Sequence, residues 1–244
     1  MNQESKLPQV VIGVPGQWTN DAEIVSSIAE NSGGYLFAGS VLINIESKWS
    51  CMLEVYDHEP QMRRAFEIAG FGRIDDSELQ AIDEHTHTLY LSGDGGSFDS
   101  ARNLMKAAAA LLKCGGLAVK IESTGIAHSA EAWNQLTNDN LLLALLNAYV
   151  TYVGDEGEFY SCGMHNIGFR DAVVTADLPP DEAASLLHQF LRYIAIEDPA
   201  IYDNETFSVD EDSPRYQLCK APCTMFPPED LFHNPYGIWQ LSPV

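Results

Sequence analysis

The stretch FDSARNLMKAAAALLKCGGLAVKIES, residues 98–123, constrains the fold more than any other part of the chain. Ala101, Leu104, Met105, Ala108, Leu111 and Leu112 recur at three- and four-residue spacing and form one apolar stripe. Ser97 stands where a cap belongs, and Gly115-Gly116 ends the pattern. Directly behind that stop, Leu117, Val119 and Ile121 alternate with Ala118, Lys120 and Glu122, so the helix is followed at once by a strand. An apolar stripe of this length, set between strands, needs a sheet to lie on.

The remaining pattern supplies strands on both sides. Residues 9–14 read as a buried strand ended by Pro15-Gly16, and Asn20 or Asp21 caps a helix with Ile24, Val25 and Ile28 on one face. Residues 35–45 and 49–57 are β-rich and joined by the short Glu-Ser-Lys link of a hairpin. Pro60 opens a helix carrying Met62, Ala65, Phe66 and Ala69, and residues 86–93 form the next strand. That order is β-α-β-β-α-β, the ferredoxin-like series. A second such series is read over 116–219: a strand at 117–123, helix over 129–150 broken near 138–140, strands at 158–168 and 171–178, a helix behind Pro179-Pro180, and β-like pieces at 206–209 and 216–219. The expected fold is α+β, with two ferredoxin-like lobes, residues 1–96 and 116–244, joined by a central helix at 97–115 and built on mixed or antiparallel sheets. The alternative is one fused domain.

Thirteen Lys plus Arg stand against thirty-five Asp plus Glu, a formal net charge of −22. A field of that sign repels phosphate backbones and anionic lipid, so neither nucleic acid nor membrane is an expected partner. It steers a basic protein partner inward. The densest acidic stretch is 196–214, with Asp203, Glu205, Asp210, Glu211 and Asp212 among its seven acids and no base. The start reads as no secretory signal, and the longest apolar run, 141–150, is about half of the roughly 20 residues a bilayer needs. Five dispersed cysteines fit reduced thiols, so a cytoplasmic protein is expected.

Chemistry-bearing groups are sparse. Lys120 and Glu122 share a strand face, and His128 follows a Ser123-Thr124-Gly125 break, which is where open sheets place sites. Read plainly, the same residues are a polar strand face, a turn, and Ser129 capping the next helix. His85 and His87 lack a third metal ligand, and Cys219, Cys223 and His233 fall short of a four-ligand zinc set. The Ser-Gly-Asp-Gly-Gly-Ser turn at 92–97 lacks the lysine of a phosphate loop. No metal and no cofactor are expected.

Residues 111–133, with CGMHNIGFRDAVV at 162–174 and the helix behind Pro179, resemble a bacterial family known only as domain of unknown function 4261. The matching positions are Gly115, Gly116, Lys120, Glu122, Gly125, His128, Ser129, Trp133, Gly163, Met164, His165, Gly168 and Asp171. The resemblance implies a location rather than a reaction. The expectation is an acidic bacterial binding protein, of the immunity type that neutralises a cationic toxin. The alternative is a hydrolase or transferase for a small polar substrate, using Lys120, Glu122, His128 and His165.

Overall fold

The computed structural model describes residues 7–139, 142–155, 157–174 and 178–244. The elements are β1 (Gln9–Gly16), α1 (Asp21–Asn31), β2 (Tyr35–Ala38), β3 (Val41–Asn44), β4 (Ser50–Asp57), α2 (Met62–Gly70), α3 (Asp76–Asp83), β5 (His87–Asp94), α4 (Phe98–Lys113), β6 (Ala118–Ile121), β7 (Ile126–Ser129) and α5 (Ala130–Asn138). Then come α6 (Leu142–Tyr149), β8 (Thr151–Asp155), β9 (Glu158–Cys162), a 3-10 turn (Met164–Ile167), β10 (Asp171–Val174), α7 (Pro180–Glu197), β11 (Thr206–Phe207), β12 (Tyr216–Ala221) and β13 (Ile238–Pro243). The fold is α+β. Among the described residues, contacts gather the chain into two compact units, one from 9–94 and 99–139, the other from 7–8, 95–98 and 142–244. No described helix is long and apolar enough to cross a membrane.

The first unit is a seven-stranded sheet in the order β2-β3-β4-β5-β1-β6-β7, antiparallel at every pairing. Strand alternation separates its faces. Val10, Ile12, Val14, Leu53, Leu89, Leu91, Val119 and Ile121 fill one of them and are almost fully buried. Each such side chain contributes about 1.5–3 kcal/mol by leaving water. Leu104 of α4 packs on this face above Gly93 and Cys51. On the other face α2 and α3 cover only the β6–β7 end, where Met62, Phe66, Leu79 and Ile82 meet Ala118 and Ala127. The rest of that face carries Leu36, Val41, Met52 and Tyr56, all exposed.

The second unit is a six-stranded sheet, β11-β12-β13-β10-β9-β8, in which β10 and β13 run parallel. Helix α7 starts with Pro180 at its first position and Asp181 and Glu182 in its first turn, where acids suit the helix dipole. It buries Ala183, Leu187, Phe190, Leu191 and Ile194, as its spacing predicts.

The boundaries differ from the sequence reading for one physical reason. Strand β1 has two hydrogen-bonding edges, and β6 fills the one that β5 leaves. Residues 116–139 therefore belong to the first unit, and α4 from Asp99 onward lies within that unit rather than linking two lobes. The second series loses its expected first strand by the same pairing. Smaller differences follow local chemistry. Residues 35–45 fold back on themselves at Gly39-Ser40 as β2 and β3, and the strand expected over 158–168 ends at Cys162 before the 3-10 turn. Val25 faces outward while Ile24 and Ile28 are buried. The strand expected at 171–178 is β10 as far as Val174; residues 175–177 lie outside the described ones.

Candidate functional site

Lys120 and Glu122 meet. The Lys120 ammonium donates to Glu122 Oε2, and the two side chains keep 16% and 23% of their exposure. Their row is built by register: Glu54, Tyr90, Gly13, Lys120 and Ala127 stand opposite one another across β4, β5, β1, β6 and β7. Gly13 matters because a Cβ there would lie 3.0 Å from the Tyr90 ring and 3.2 Å from Glu122 Oε1. Its absence lets both side chains close over β1. Burial, and then the Glu122, Glu59 and Tyr56 charges, push the Tyr90 phenol up to about 12.

His128 is not part of this cluster. It stands opposite Val119 in the β6–β7 pairing, whereas Lys120 stands opposite Ala127, so His128 points to the other face of the sheet. There it is 6% exposed, with its ring 5.5 Å from that of Trp133. The indole of Trp133 donates to Met105 O of α4 at 3.2 Å. The break at Ser123-Thr124-Gly125 is a tight hairpin turn, with Gly125 N donating to Ile121 O at 2.8 Å. Ser129 Oγ caps α5 by accepting from Ala132 N.

His165 belongs to the second unit, beside a buried network centred on Asp171. The Asp171 carboxylate is 3% exposed and accepts from Ser161 Oγ at 2.9 Å, Met164 N at 3.2 Å and Asn234 Nδ2 at 2.6 Å. Ser161 Oγ accepts in turn from Ala172 N. His165 is fully buried, with Nδ1 3.8 Å from Asp171 Oδ2, and neither ring nitrogen has a hydrogen-bond partner among the described residues. Ser161 donates to the carboxylate rather than to an imidazole nitrogen, so the cluster is not arranged as a nucleophile with its activating histidine. Its geometry holds loops together. Sequence spacing offers no signal for Ser161, ten residues from Asp171, or for Asn234, 63 residues from it.

The metal-pair residues have other occupations. His85 is 2% exposed; its Nδ1 donates to Ile82 O at 2.7 Å and its Nε2 accepts from Glu59 N at 3.1 Å, which fixes a neutral tautomer. Burial holds its basicity below the ordinary histidine value. His233 Nδ1 donates to Phe226 O at 2.8 Å. Among the described residues no three His, Cys, Asp or Glu side chains gather as a metal would require.

The acidic segment is folded. Glu197, Asp198, Asp203, Glu205, Asp210, Glu211 and Asp212 are all exposed, yet the backbone beneath them is tied down. Leu218 N donates to Glu205 O, Asn204 N to Leu218 O, and Lys220 N to Asp203 Oδ1, each at 2.8 Å. Short β11 pairs with β12 at the sheet edge. Between α7 and β11 lies a cleft of about 600 Å³, with Tyr193, Ile196, Ile201, Phe207 and Val209 in its lining and Glu197, Glu205 and one base, Arg192, beside them. Tyr193, Ile196 and Val209 remain 38–42% exposed. No family model, curated protein or solved structure matches the chain.

Proposed function

We propose that the protein is a non-catalytic binding protein whose partner is a cationic polypeptide with apolar anchors, docked in the cleft between α7 and β11. The observation that carries this is the pairing of exposed aromatic and aliphatic side chains with an unbroken set of exposed acids on one ordered segment. Apolar anchors supply affinity once buried, and like-signed charge around them sets encounter rate and excludes acidic competitors. An immunity-type role against a basic toxin fits that chemistry, and five free cysteines are in keeping with a reducing cytoplasm. The enzymatic alternative loses support because His128 stands on the face opposite Lys120 and Glu122.

Resemblance to family 4261 remains a proposal resting on the quoted residues. We also infer a ferredoxin-like core in the first unit. Its support is the order β4-β5-β1-β6, with β5-α4-β6 straddling β1, a series decorated by β2, β3, α2, α3 and β7.

The test uses a synthetic amphipathic peptide of alternating Lys and Leu. Its on-rate should fall steeply as salt rises, and Asp210→Asn, Glu211→Gln and Asp212→Asn combined should slow it further without altering the fold. Equal rates at low and high salt would remove the electrostatic reading. Binding unaffected by Phe207→Ala would remove the cleft.

A further inference from the structure

We propose that a second cleft, beside Arg170, binds the carboxylate or phosphate group of a small ligand. This does not rest on the acidic docking surface. The cleft measures about 370 Å³, within the range of small-molecule sites, and its lining includes Arg170, Lys220, Cys223, His233, Asn234 and Tyr236. Among the described residues no carboxylate lines it. In a chain of net charge −22 that is a departure, since the clefts along α7 are lined by Asp181, Glu182, Glu197 or Glu205.

Arg170 is half-buried and makes no hydrogen bond or ion pair with any described residue. A guanidinium presents donors in a planar fork that matches two oxygens of a carboxylate or phosphate, and it keeps its charge at any physiological pH. The acid next to it in sequence is no counter-ion. Asp171 turns into the core, where Ser161, Met164 N and Asn234 already occupy it.

The same network shapes the wall of the cleft. Asn234 is 1% exposed and ties the loop down by donating to Asp171 Oδ2 and to Phe169 O at 3.0 Å. Its Oδ1 accepts from Tyr236 N, and its carbonyl accepts from Gly237 N. Gly237 has φ +89°, and an added Cβ would lie 2.4 Å from Ala221 O and 2.5 Å from Arg170 Nη1. Only glycine leaves room for the guanidinium there. With Nδ1 of His233 engaged by Phe226 O, Nε2 is that ring's remaining polar atom. Buried polar groups thus hold in place a cleft whose one cation of fixed charge and planar geometry has no hydrogen-bond or ion-pair partner among the described residues.

The experiment is calorimetric titration of the full chain at constant ionic strength with inorganic phosphate in one arm and succinate in the other, chloride serving as the reference. Saturable one-to-one binding of either is expected. If phosphate alone binds, the group is a phosphate; if succinate alone binds, a carboxylate. Arg170→Gln should weaken binding by about tenfold or more, because a bidentate charged contact is lost. Arg170→Lys, which keeps the charge and loses the fork, should also bind more weakly and guards against a folding defect in the first variant. Arg64→Gln, the same charge change at an exposed site on α2, should leave binding unaltered. No saturable binding of either anion, or equal binding by Arg170→Gln, would overturn the proposal.

Discussion

Two pairs of oppositely charged residues at the ends of strands behave in opposite ways. Lys120 and Glu122 are two residues apart and form an ion pair; Arg170 and Asp171 are adjacent and do not. Side chains in a strand alternate between faces, so an even separation brings two groups together and an odd one sends them apart. Parity along the backbone, more than closeness in sequence, decides which charges meet. The consequence also differs in energy: Glu122 keeps some contact with water, while Asp171 is sealed in and depends on protein donors.

The sharpest way to break this comparison is to remove Asp171. Its loss strands Ser161, Asn234 and the Met164 N–H without an acceptor, so Asp171→Ala should cost about 3–5 kcal/mol in a denaturant melt. A loss under about 1 kcal/mol would show that water satisfies the network. Glu122→Ala should cost less, about 1.5 kcal/mol, in line with a partly screened charged hydrogen bond. With Lys120→Met in a double-mutant cycle, the coupling should come out near 1 kcal/mol. Strictly additive losses would mean the pair contributes nothing as a pair.

Arg170→Gln should change the stability of the ligand-free protein by no more than about 0.5 kcal/mol, since it removes no internal partner. A large loss would reveal a counter-ion and weaken the contrast with Lys120. The smallest effect is spectroscopic. Glu122→Gln removes a negative charge that opposes ionisation of Tyr90, so its phenol should titrate lower than about 12 in an ultraviolet pH titration. It should stay above the ordinary tyrosine value, because burial is the larger cause. No change would place Glu122 farther from Tyr90 than Gly13 permits.

Parity is legible in the sequence, and alternation alone puts Lys120 and Glu122 on one face, where they meet. The position of His128 is not legible. It depends on the length of the Ser123–Gly125 turn and on β7, a four-residue strand whose run Ile-Ala-His-Ser carries little β signal of its own. The long helices α4 and α7 were plain because each repeats its apolar spacing over several turns. Sheet membership was hidden, since nothing local in residues 118–121 says which strand edge they fill. The Asp171 network was hidden for the same reason: Asn234 reaches it from 63 residues away.

The position of β1 has a consequence for synthesis on the ribosome. This strand is made before both of its neighbours, β5 and β6, which come later in the chain, after the β2–β3–β4 meander and three helices. Until they emerge, the apolar run Val10-Val11-Ile12 has both edges unpaired, the condition in which nascent strands find wrong partners. Nascent chains stalled after residue 57 would therefore bind chaperones through this segment, and chains long enough to expose residues 118–121 would release them.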